Sequence, residues 1–404
     1  MNTDLTINSV LAQEPVAATK LSAISIPSTI YAVVLSSLLI VWSIVWDIMW
    51  HMSIGRDGLF SPPHVVMYVG AIIAGSFAGY TILARTFKAD HPDRIQSVRF
   101  WGVFYGSTGA LFCVWGAVAI LTSAPFDNWW HSAYGLDVQI LSPPHALGLI
   151  GMTLLQFGAL VSVLTLRNQL KNKTVTKVVQ KRLELLFIVS AGFLMTMIYI
   201  LFYEKFMDGQ GHRSQYYILA SLFLPIYMMA IGRTSASSYP ITKLAAIYML
   251  TILVPSWILQ FLPATPRLGP VLNNVTHYQP FQFPFLLVIP AWVLDTAIQR
   301  YPKRWNDWKL AGLVALFFLI TFTVVQWPMS EFMLTSPWSR NYFFMSYTWP
   351  FNAPSDYPYR YQFNPGLHET MPQLLRGWAI ALVAAFLSAR AGLWIGAWMR
   401  NIYR

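Results

Sequence analysis

Apolar stretches recur from residue 27 to residue 398 of this 404-residue chain, and nothing else in the sequence constrains the fold as strongly. Each is about 18 to 25 residues long, which at 1.5 Å rise per residue matches the roughly 30 Å hydrocarbon layer of a bilayer. Helices are therefore the expected element. The pattern predicts spans near 27–50, 63–86, 100–123, 144–166, 184–206, 215–232, 242–262, 281–299, 310–328 and 375–398, about ten in all. The expected fold class is an all-α polytopic membrane protein. Composition agrees, because 56% hydrophobic and 11% charged residues suit a lipid-facing surface and not a water-facing one.

Short cytoplasmic connections hold the excess of Lys and Arg, which fixes the expected orientation. With both termini cytoplasmic, that side collects Arg85, Lys88, Arg94, Arg99, the run from Arg167 to Arg182, Arg233, Lys243, the Arg300–Lys309 cluster, Arg400 and Arg404. The other side keeps Arg56, Lys205, Arg213, Arg267, Arg340, Arg360 and Arg376. Topology and anionic lipid head groups account for the net charge of +11, so nucleic acid is not an expected partner. Residues 1–25 are polar, lack the basic start and cleavage site of a secretory signal, and are expected to form a disordered cytoplasmic tail. Cys113 is the single cysteine and lies in an apolar span, which excludes intrachain disulfides and thiolate clusters and marks it as packing.

An internal repeat lies in the first half. The segment WDIMWHMSIGRDGLFSPPH, ending at His64, aligns with FDNWWHSAYGLDVQILSPPH, ending at His145. Asp47, His51 and Asp57 map onto Asp127, His131 and Asp137 at an offset of 80, and the Ser-Pro-Pro-His block follows at 81. The repeat consumes four of the eight histidines. Asp47 and His51, at i and i+4, share one face of the last turn of a helix. Ser61-Pro62-Pro63 reads as the start of the next, with serine as cap and proline in the first turn.

An antiparallel hairpin would then bring Asp47, His51 and His64 together, and a second would do the same for Asp127, His131 and His145. Two imidazoles and one carboxylate suit a first-row metal such as copper, iron or zinc. Asp57 and Asp137, in the connections, are candidates to accept the free N–H of a ligating histidine, and Arg56 to neutralise that acid. The competing reading is an ordinary hydrogen-bonded polar knot. Ionisable groups near the apolar layer cost on the order of 2 to 3 kcal/mol each, so two such knots in duplicate favour the metal reading.

At these residues the sequence resembles the triad-bearing membrane subunit of the copper membrane monooxygenases, the family of particulate methane and ammonia monooxygenases. Asp47, His51 and His64 keep its Asp-x3-His-x12-His spacing, with Trp50, Arg56-Asp57, Phe60 and Pro62 agreeing around them. Asp127, His131 and His145 keep the longer spacing of its second site, with aspartate where the family has asparagine. The resemblance covers residues from about 40 to 166. It implies copper in both triads, hydroxylation of a small apolar molecule with dioxygen, and assembly with further monooxygenase-type subunits. The expected location is a bacterial or archaeal cytoplasmic membrane, and the charge-based topology puts the triads toward the extracytoplasmic side.

The expected organisation is a duplicated four-helix region at 26–166, a basic cytoplasmic loop at 167–183 and a six-helix region at 184–404. The second half holds weaker echoes of the Asp/Asn-x3-His pattern: Asp208 with His212 (and Glu204 one turn earlier), Asn273 with His277, and Asn364 with His368. None is followed by Pro-Pro-His, so interfacial hydrogen bonding competes with a ligand role. Residues 329–374 form a long aromatic connection, expected to lie on the membrane or to cover the triads or a partner. Two other readings stand beside the oxygenase: a transporter or metal-handling permease, and a non-catalytic scaffold subunit.

Overall fold

The computed structural model describes residues 25–55, 58–135, 142–301 and 306–404. Residues 1–24 of the expected tail lie outside them, as do Arg56, Asp57 and Asp137. Among the described residues the chain forms ten α-helices and one small β-hairpin. In order these are α1 (Ser28–Ser53), α2 (Pro62–Phe87), β1 (Val98–Phe100), β2 (Phe104–Gly106), α3 (Thr108–Tyr134), α4 (Pro143–Leu170), α5 (Lys177–Leu201), α6 (Ser214–Thr234), α7 (Pro240–Leu259), α8 (Val288–Arg300), α9 (Asp307–Thr335) and α10 (Met371–Met399). All but α8 are long and apolar enough to cross a membrane, which makes nine such helices among the described residues.

Several predicted boundaries shift. The span expected from residue 100 starts at Thr108, because residues 98–106 pair as an antiparallel hairpin. That helix then runs on through Pro125 to Tyr134, past the predicted end at 123. The basic loop predicted at 167–183 shrinks to 171–176: charged residues at 167–170 and 177–183 extend α4 and α5 as polar end turns. The long connection opens at Ser336, α9 having continued to Thr335.

The span predicted at 281–299 is the largest departure. Residues 281–286 belong to no helix or strand, Leu287 turns, and α8 supplies only 13 residues after them. At the far end of α8 the Asp295 carboxylate accepts the backbone N–H groups of Ile241 (3.4 Å) and Thr242 (2.8 Å), at the start of α7. At the near end Gln279 N–H donates to Ser53 Oγ at the close of α1 (2.7 Å). Between these anchors Phe285 N–H meets Tyr248 Oη (3.2 Å), and Leu286 N–H meets Gln326 Oε1 (3.3 Å). The segment and α8 thus run the length of the bundle together, antiparallel to α7. Non-helical backbone at that depth is tolerated only when protein groups satisfy it. Buried Tyr248 and Gln326 do so here.

Small residues set the helix spacing. On α3 and α4, a Cβ at Gly116 would stand 2.7 Å from the backbone of Gly151 and Leu155, and one at Gly158 would meet the Cys113 backbone at 2.7 Å. Cys113 is fully buried in that seam, as packing. On α6 and α10, a Cβ at Gly392 would stand 2.3 Å from Ile226 O. Pro225 interrupts α6 there, and Ser388 Oγ repairs the ladder by accepting from Ile226 N–H (2.8 Å) and donating to Leu222 O (2.7 Å). Close backbone approach through Gly and Ser is how helices associate without a hydrophobic driving force.

The apolar interior falls into two clusters. One is built from α1–α4, with Met197 of α5 at its edge, and the other from α1 and α4–α10, so α1 and α4 contribute to both. Gln156 of α4 joins α1 through Ser37, donating to its carbonyl (2.8 Å) and accepting from its hydroxyl.

Candidate metal centres

Each triad stands where one helix ends and the next begins at the same face of the bundle. Asp47 and His51 occupy the last two turns of α1, and Asp127 and His131 the last two of α3. Four residues after each histidine, beyond the helix end, stands a glycine with positive φ, Gly55 at +85° and Gly135 at +88°. With ψ near −179°, Gly135 occupies a region essentially closed to other residues. These glycines match in the two repeat segments at the same offset of 80 and were the signal overlooked in the sequence.

The helices that follow begin at Pro62 and Pro143, which puts His64 and His145 at their third positions. The predicted serine caps do not form: Ser61 and Ser142 make no side-chain cap, and both hydroxyls are buried without a partner. Prolines at the first two positions leave the third-position N–H groups of His64 and His145 as the donors a cap could use, and the serines do not engage them. The serine carbonyls still accept from Val65 and Ala146.

In the first hairpin Asp47 receives both imidazoles, His64 Nε2 at 3.3 Å from Oδ1 and His51 Nε2 at 3.8 Å from Oδ2. In the second, Asp127 receives His145 Nε2 and His131 Nε2, each at 3.3 Å from a different oxygen. Among the described residues, Asp127, His131 and His145 form the group of three potential ligands whose donor atoms all lie within 4.8 Å of one another. The carboxylates are mostly sheltered, with side-chain exposures of 15% and 19%, and Oδ1 of each is buried with no hydrogen bond among the described residues.

The other ring nitrogens define the chemistry. His64 Nδ1 lies 3.0 Å from Gly58 O, and His131 Nδ1 lies 3.2 Å from Gly135 O. A carbonyl only accepts, so each Nδ1 carries the proton and each Nε2 of a neutral ring directs a lone pair at the carboxylate. Two acceptors facing each other across 3.3 Å repel unless a cation or a proton stands between them. Gly58 O and Gly135 O thus fix the tautomers of His64 and His131; Asp57 and Asp137, expected in that role, lie outside the described residues.

No protein-family model matches the chain. No curated protein and no solved structure matches it either.

The two sites differ in their surroundings. Loops of the second half grip the end of α1: Phe351 N–H donates to Met52 O (3.1 Å), Arg267 N–H to Ile54 O (2.8 Å), and the Phe351 ring lies against Gly55. Trp50 meets Tyr278 of the same loops at 6.3 Å between ring centroids. The aromatic connection thus contacts the end of α1 through Phe351.

The weaker candidates do not repeat the triad. Asp208 and His212 diverge, because residues 208–210 turn as a 3-10 helix instead of an α-helix. Asp208 lies near Tyr199 and Tyr216, and burial pushes its carboxyl up to about 7. His212 is stacked between Trp327 (4.1 Å) and Phe363 (3.9 Å), with Nε2 at 3.4 Å from Glu331. Burial, opposed by the Trp327 carbonyl and the Glu331 charge, lowers its pKa, and His368 adds to the lowering. Asn364 turns to Gly366 N–H and Asn273 to Trp349 O, so neither faces its histidine partner, and His277 Nδ1 pairs with Thr276. Glu204 sits exposed on a separate turn, Tyr203–Phe206.

Proposed function

We propose that this integral membrane protein binds first-row transition-metal ions in two triads at one face, Asp47/His51/His64 and Asp127/His131/His145. The observation that carries the reading is electrostatic. In each hairpin a sheltered carboxylate oxygen with no hydrogen bond among the described residues is approached by imidazole nitrogens, one of whose rings has its proton engaged on a backbone carbonyl. Two nitrogens and one oxygen leave coordination positions open, as a catalytic site requires and a structural one does not.

The ions we assign are copper, with iron and zinc as alternatives, and the activity is that of a monooxygenase subunit hydroxylating a small apolar molecule with dioxygen. The resemblance of residues 40–166 to the triad-bearing membrane subunit of the copper membrane monooxygenases supports this step and extends to further subunits, and the charge-based topology supports an extracytoplasmic site. Bound copper would supply the redox chemistry. The chain's own residues hold and orient it: the carboxylates offset its charge, and the carbonyls of Gly58 and Gly135 fix which nitrogen each ring presents. The lipid-exposed faces of α2 and α3 leave an apolar substrate a route to the triads from the bilayer.

Metal content of the purified protein tests the proposal. Wild type is expected to hold up to two equivalents, His51→Ala and His131→Ala each about one, and the double variant none. Full retention in the double variant would remove the triads from consideration, and a proton would then be what separates the facing acceptors.

The permease reading has one observation in its favour. The crossing made of residues 281–287 and α8 is broken midway, and interrupted helices of this kind form binding sites in secondary transporters. Metal uptake into proteoliposomes, abolished by the double variant, would favour it over the oxygenase.

A further inference from the structure

The end of the bundle opposite the triads carries a cation that no described residue neutralises. Arg390 lies nine residues before the end of α10, on the stripe Leu387, Arg390, Trp394, Trp398. The apolar members of that stripe are 56%, 65% and 58% exposed, so it is a lipid-facing surface. Residues three and four apart share a helix face, so the arginine leaves α10 among them. Its guanidinium rests over the ring of Trp308, at 4.8 Å from the centroid, in the first turn of α9. Trp308 is itself 53% exposed and is steadied by Phe386 at 5.8 Å.

No acid answers this charge among the described residues. The nearest carboxylate in sequence to Trp308 is Asp307, already engaged by Arg233 at 3.1 Å. Arg390 Nε is buried and donates to nothing among the described residues. The neighbourhood is rich in cations: burial and then the charge of Arg233 lower the pKa of Arg400. An ion on a lipid-facing stripe is costly unless it reaches a partner, and Trp rings mark the head-group level where phosphate groups lie.

We infer that Arg390, framed by Trp308 and Trp394, binds the phosphodiester of an anionic phospholipid in a fixed position on the α9–α10 face. The guanidinium fork suits two phosphate oxygens, the indole of Trp308 holds the fork flat, and the exposed apolar residues below it receive the acyl chains.

Native mass spectrometry of the full chain, titrated with phosphatidylglycerol or phosphatidylcholine, tests this. Wild type should retain phosphatidylglycerol over phosphatidylcholine by about fivefold, the effect of one basic residue near a charged surface. Arg390→Gln should lose that preference, Trp308→Leu should weaken it, and Arg390→Lys should keep part of it. Equal retention of the two lipids by wild type overturns the inference without any variant having to fold. So does an unchanged preference in Arg390→Gln. Displacement of the lipid by millimolar inorganic phosphate would show a simple anion site and overturn it equally.

Discussion

Asp208 shows how a residue's surroundings override its spacing. Read from the sequence it is a partner for His212, but a tight turn sends it toward Tyr199 and Tyr216, where burial raises its carboxyl to about 7. A raised carboxyl pKa means that the folded state holds the proton more tightly than the unfolded chain. Its contribution is complete below the ordinary value of 3.8 and is lost as pH climbs to about 7. Asp208→Asn should therefore match wild type in thermal stability at pH 4 and exceed it at pH 8, and equal melting temperatures at pH 8 would contradict this. Gly135 gives a second residue-scale expectation. Gly135→Ala forces a side chain into a conformation that costs on the order of 1 to 3 kcal/mol. Because Gly135 O holds His131, metal should be lost from the second triad while the first keeps its equivalent.

Among the elements, the α3–α4 hairpin depends on backbones that nearly touch. Gly116→Leu should cost about 1 to 3 kcal/mol by overpacking and part Asp127 from His145, measured as a lowered melting temperature with loss of one metal equivalent. Ser388→Ala strands Ile226 N–H and Leu222 O beside Pro225 and should cost about 1 to 3 kcal/mol with both triads intact. The hairpins were legible because their determinants are local: an Asp-x3-His at a helix end and two prolines opening the next helix are visible in any short window. The crossing at 281–299 was not. Its composition is as apolar as its neighbours', and what satisfies its non-helical first half is hydrogen bonding to Tyr248 and Gln326, tens of residues away. The serine caps expected before Pro62 and Pro143 do not form, although His64 and His145 keep the N–H groups they would serve.

Across the whole molecule, the second half does more than follow the first. Phe351 and Gln279 reach back from the loops to hold residues 52 and 53, directly after His51. Phe351→Ala should speed amide exchange at residues 52–55 and leave 131–135 unchanged, whereas a uniform response would deny the grip. No sequence window contains that contact, because its partners are about 300 residues apart.

The sharing of α1 and α4 between two interiors also bears on how the duplicated segment could exist alone. One flank of each helix is shaped for the other repeat helices, and the opposite flank for α5, α7 and the broken crossing. A polypeptide stopped after Leu170 would present that second flank, including Val41, Val45, Leu160 and Leu164, to acyl chains that cannot reproduce its contours. The first four helices are therefore shaped as one wall of a larger enclosure, with α1 and α4 facing both interiors.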